Sequence, residues 1–93
     1  MVRYRTKDGL ADYGFSLERQ SDASWRAYID SAPGYGLRSS DQHSTHRLRD
    51  GNRWYVCWTG RFQTETDARN VAALWADRTQ RYIRTGKRFE EPD

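Results

Sequence analysis

One long amphipathic helix near the C-terminus does most to limit the folds open to this chain of 93 residues. Ala68, Val71, Ala72, Trp75, Thr79, Tyr82 and Ile83 fall on one stripe at helical spacing. Arg69, Asn70, Asp77, Gln80, Arg81 and Arg84 fall opposite and are expected to face solvent. Thr64 stands where an N-cap belongs, and Asp67 follows three residues later as a short-armed capping box. Glu65 and Asp67 suit the positive end of the helix dipole, and Arg78, Arg81 and Arg84 suit the negative end, at roughly 0.3–1 kcal/mol per exposed charge. Gly86 supplies the stop, because glycine reaches the left-handed conformation at low cost. Ala68 and Ala72 leave room for close approach to a sheet, with Trp75 as the main anchor.

The rest of the chain supplies that sheet. Residues 13–19 alternate, with Tyr13, Phe15 and Leu17 on one side and Gly14, Ser16 and Glu18 on the other. Residues 25–30 do the same, with Trp25, Ala27 and Ile29 opposed to Arg26, Tyr28 and Asp30, so the two read as a hairpin. Residues 31–44 are loop by composition and long for a compact domain. Residues 45–49 read as a short strand before the turn Asp50-Gly51-Asn52, and an aromatic strand runs from Arg53 until Gly60 ends it. A three-residue turn sets Leu48 across from Trp54 and His46 across from Val56. Leu48, Trp54, Val56 and Trp58 then face the helix, while Arg47, Arg49, Arg53, Tyr55 and Cys57 face away beside Arg26 and Tyr28. A slip of one residue would reverse every one of these placements.

The expected fold is therefore α+β: a three- or four-stranded antiparallel sheet packed against one C-terminal helix, over residues 13–85. Residues 1–12 read as a mobile arm and residues 86–93 as a charged tail. Only 35% of residues are apolar but 14% are aromatic, so the core is built from a few large rings. The single cysteine excludes an intramolecular disulfide framework and suits a reducing, cytoplasmic setting. No apolar run approaches the ~20 residues that span a membrane, and no apolar leader opens the chain. Net charge is +3, with Lys7 and Lys87 the only lysines among sixteen basic residues. Arginine forks onto phosphate and stacks on rings, although a GC-rich genome also favours arginine codons.

Candidate chemistry is sparse. His43, His46 and Cys57 invite a metal, but the paired Cys/His spacing of a structural zinc site is missing. Cys57 lies mid-strand between large rings, a poor place for a nucleophile. No cofactor, metal or enzymatic activity is expected. The set Arg26, Tyr28, Arg47, Arg49, Arg53 and Tyr55 forms a basic sheet face with interleaved aromatics, able to follow a phosphate backbone while rings and forked guanidinium groups meet bases. An ordinary solvated sheet face would have the same composition.

Trp25-Arg26-Ala27-Tyr28-Ile29, and Gly60-Arg61-Phe62-Gln63-Thr64 followed by Asp67-Ala68, resemble motifs of plant ethylene-response-factor DNA-binding domains and of phage integrase arm-site-binding domains. The likeness spans roughly residues 13–84. It implies a three-stranded sheet backed by one helix, with Arg26, Tyr28 and Asp30 facing a DNA major groove. Ser16 and Glu18 stand where the plant domains carry an arginine-rich strand.

The function expected from these readings is a small non-enzymatic nucleic-acid-binding protein, on duplex DNA, of phage or mobile-element origin. The alternative is a protein-interaction module, such as a phage-encoded modulator of a host protein, working through exposed aromatics such as Tyr28, Tyr35 and Tyr55.

Overall fold

The alternating segments do form neighbouring antiparallel strands, in a sheet larger than expected. The computed structural model describes residues 1–91. Strands β1 (Val2–Arg5), β2 (Asp12–Arg19), β3 (Trp25–Ser31), β4 (Arg47–Asp50) and β5 (Arg53–Val56) form one sheet in the order β1-β2-β3-β5-β4. A short helix α1 (Gln42–Thr45) lies between β3 and β4, and α2 (Glu65–Thr85) packs across β2 and β3. The class is α+β, with five strands.

The helix ends follow from the residues read for them. The Thr64 side chain accepts the Asp67 N–H, and Gly86 closes α2 with φ +79°, its N–H bonded to the Tyr82 carbonyl. Trp75 sits at the centre of the core, 1% exposed, with its indole edge-on to Tyr13 and Phe15 at 5.9 and 6.0 Å between ring centroids. Its Nε1–H donates to the Thr45 carbonyl at 3.0 Å, so the core also fixes the segment that leads into β4.

Both chain ends depart from expectation. Residues 1–12 are not a mobile arm. Val2 and Tyr4 pair with Phe15 and Tyr13 and turn toward the helix side, while Arg3 and Arg5 turn away. The Tyr4 hydroxyl and the Lys7 N–H both donate to Asp77, at 2.7 and 2.9 Å. At the other end the chain folds back over α2. Phe89 is buried and stacks on His46 at 4.5 Å, while Arg78 and Arg81 donate to the carbonyls of Phe89 and Arg88. The folded unit thus extends beyond 13–85 on both sides, and residues 92–93 of the expected tail lie outside the described residues. The same two returns bury Gln80 and Arg81, which spacing alone placed in solvent.

The turn between β4 and β5 is one residue shorter than expected. Asp50 pairs directly with Arg53, leaving Gly51 and Asn52 as a two-residue turn with φ +62° at the glycine. Arg47 therefore pairs with Val56, Leu48 with Tyr55 and Arg49 with Trp54. Every side chain of β4 is on the opposite face from the one expected. Arg47 and Arg49 stand on the helix side of the sheet, and Leu48 on the open side. The arrangement is tolerated because α2 covers β2 and β3 and does not extend over the β4 edge. Trp58 was expected beneath the helix. It is 39% exposed, because β5 stops at Val56 and the chain leaves the sheet to turn at Gly60.

Two substitutions test this packing by chemical denaturation. Trp75→Phe removes the donor to the Thr45 carbonyl along with core volume, at an expected cost of about 2–4 kcal/mol. Thr79 is fully buried, and its hydroxyl finds no hydrogen-bond partner among the described residues. Thr79→Val keeps the shape and removes that burden, so it should raise stability by about 1 kcal/mol.

Candidate functional site

The sheet has one face under the helix and one face open. Alternation and pairing put Arg3, Arg5, Asp12, Ser16, Glu18, Arg26, Tyr28, Asp30, Leu48, Asp50, Arg53 and Tyr55 on the open face. Of the six residues expected to form one basic surface, Arg26, Tyr28, Arg53 and Tyr55 are brought together there. Arg47 and Arg49 are not; the shorter turn moves them to the other face.

The open face is a network of rings and matched charges. Tyr28 is only 3% exposed although it points away from the helix, because the Arg53 guanidinium lies 3.7 Å over its ring. Its hydroxyl donates to Asp50 Oδ2 at 2.8 Å. Arg26 donates to the same carboxylate oxygen at 3.2 Å and lies over the Tyr55 ring at 4.2 Å. Tyr55 in turn packs against Tyr28 with 5.7 Å between centroids. Arg53 grips Glu18 through two parallel bonds of 3.0 and 2.6 Å. Ser16 bonds Asp30, and Arg5 pairs with Asp12 at 2.9 Å. The cations Arg3, Arg5, Arg26 and Arg53 thus share the face with the anions Asp12, Glu18, Asp30 and Asp50. Solvent-exposed pairs of this kind add little stability, about 0–1 kcal/mol each. Their larger effect is to cancel the field of the face.

Beside this network the sheet has a notch. β3 pairs with β5 only at Tyr28 and Ile29, and Phe62 then takes the place of a strand opposite Trp25. Residues 57–61 loop out between the two. The resulting hollow holds about 410 Å³ and is lined by Trp25, Arg26, Leu48, Tyr55, Trp58 and Phe62, among others. Leu48 and Trp58 are exposed at its rim. This notch was not legible in the sequence, because it depends on β5 stopping at Val56.

The helix-side β4 edge is arranged differently. The Arg47 guanidinium lies between Trp54 and Tyr35, at 4.0 and 4.9 Å from their centroids, and Arg49 lies 5.1 Å from Trp54. Tyr35 itself rests against Tyr82 of α2. Trp54 is half-buried under arginine stems, not sealed by the helix as expected.

The His and Cys residues do not converge. His46 stacks on Phe89 with Glu90 at 3.8 Å, His43 is exposed, and Cys57 is a free, half-buried thiol beside the notch. Among the described residues, no three His, Cys, Asp or Glu side chains gather as a metal site would require. Among the same residues no helix is long and apolar enough to cross a membrane. Comparison of the chain with protein-family models, with curated proteins and with solved structures finds no match.

The hydrogen bonds from Arg53 hold the Glu18 carboxyl below the ordinary glutamate range. A lowered carboxylate favours the folded state above the unfolded glutamate range, and that contribution is lost as pH falls through the folded value. In Arg53→Gln the Glu18 titration should move back up toward its ordinary position, as followed by carboxyl-carbon NMR. An unmoved titration would place the cause elsewhere.

Proposed function

We propose that the protein is a non-enzymatic interaction module that docks a partner protein on its open sheet face. One observation carries this: each guanidinium group at the centre of the face already has a carboxylate, and the rings are held between them. A duplex seated there, as the resemblance to plant and integrase DNA-binding domains implied, would meet Glu18, Asp30 and Asp50 together with Arg26 and Arg53. Nucleic-acid affinity is dominated by neutralising phosphates, and a charge-balanced face supplies little of that. Protein interfaces favour what is present: tyrosine and arginine, fixed in place, beside a recess of mixed polarity with Leu48 and Trp58 exposed at its rim. The notch at Leu48, Tyr55 and Trp58 gives a partner's apolar side chain a place to anchor. The Tyr–Arg network is also ordered before docking, which reduces the entropy lost on association.

The test is co-purification from the native host at low and at high salt, with parent and variant compared. A single partner protein should be retained at both salt levels and bind the purified chain directly. The double variant Leu48→Asp, Tyr55→Ala should keep its circular dichroism and lose at least about 2 kcal/mol of affinity, roughly thirtyfold in Kd. A partner that binds the double variant as well as the parent would place docking on another surface. Self-association that the variant abolishes would make the occupant a second copy.

A further inference from the structure

The arginines of the β4 edge differ from Arg5, Arg26 and Arg53 of the open face in one respect. Arg38, Arg47 and Arg49 have no carboxylate partner among the described residues, although all three are held. Arg47 donates to Thr45 Oγ1 and to the Ser40 carbonyl, both at 3.2 Å. Arg49 commits only its Nε, to the Gly51 carbonyl at 2.9 Å, so both of its terminal nitrogens stay open. Arg38 donates to the Ile83 and Arg84 carbonyls at the end of α2, both at 3.3 Å. The segment joining them is tight: the Arg38 N–H bonds the Tyr35 carbonyl, and the Tyr35 ring backs Arg47.

A carboxylate orients a guanidinium group and cancels its charge. A ring face or a carbonyl orients it and leaves the full charge in place. The nearest acid in the same loop is Asp41, and its oxygens are taken by Ser39 and Ser44 as it caps α1. These contacts keep its pKa low, about 2, so it stays an anion facing its own turn. The β4 edge therefore presents fixed, charged forks with donors to spare, which is the geometry that meets a phosphate oxygen pair.

We propose that Arg38, Arg47 and Arg49 bind the phosphodiester backbone of a nucleic acid along the β4 edge. This surface lies on the opposite side of the sheet from the docking face, so the proposal stands or falls independently of a protein partner. The flat rings of Trp54 and Tyr35 back the arginines and are not the primary contact, since guanidinium groups already occupy their faces.

The experiment is fluorescence anisotropy of labelled single-stranded and duplex oligonucleotides of mixed sequence, titrated over a salt series. Three phosphates neutralised give a log–log salt slope of about 2–3, at about 0.9 per phosphate on duplex and about 0.7 on a single strand. The tighter of the two probes identifies the strand form. Arg49→Gln, whose side chain among the described residues hydrogen-bonds to the turn alone, should lower the slope by about one and weaken binding severalfold. Arg49→Lys should keep the slope and lose part of the affinity, because the fork is gone and the charge remains. Arg69→Gln removes the same charge from the exposed surface of α2, where Arg69 pairs with Glu65, and should bind as the parent does. Two results would overturn the proposal: neither probe binding with a salt-dependent affinity, or Arg69→Gln losing as much as Arg49→Gln.

Discussion

Trp75 touches segments that the chain keeps far apart. Its ring is wedged edge-on against Tyr13 and Phe15 of β2, and its N–H is spent on the carbonyl that ends α1. With 35% apolar residues the protein has few side chains from which to build a core, so one large indole carries much of the buried area. The same residue ties down the end of α1, immediately before β4, where the two-residue turn then sets the register of the β4–β5 hairpin. The placement of the arginines on the two faces depends on that register.

The two faces show how little a residue count says about a surface. Arg26 and Arg53 would be scored as basic from sequence, yet Asp50 and Glu18 hold them and the Tyr28 and Tyr55 rings lie beneath. Arg47 and Arg49 differ only in their neighbours, which are rings and carbonyls. Charge that is paired sets geometry, and charge that is merely supported remains available to a ligand. The formal +3 of the chain is thus unevenly expressed: the open face nearly cancels, and the excess lies on the side of the helix and the β4 edge.

Much of the fold was legible. Thr64 and Gly86 marked the ends of α2 correctly, and the period-two pattern found β2 and β3 with the right faces inward. Parity also put Glu18 on the open face, so its part in neutralising that face was within reach. The rest required information that is not local. β1 was missed because only Val2 and Tyr4 carry its alternation, set among arginines and a lysine. The fold-back of residues 86–91 rests on Phe89, a single ring in a charged run. The faces of β4 turned on whether Asp50 belongs to the turn or to the strand, a choice settled by its pairing with Arg53. The burial of Gln80 and Arg81 came from chain ends closing over the helix, which helical spacing does not report.

Segment 57–59 leaves the sheet between two hollows. One is the notch beside the docking face. The other, about 520 Å³ on the helix side, is bounded by His46, Leu74, Arg78 and Phe89. Cys57 and Trp58 line both. The same indole and the same thiol thus give shape to both hollows. A substitution at Cys57 or Trp58 therefore reshapes both recesses at once.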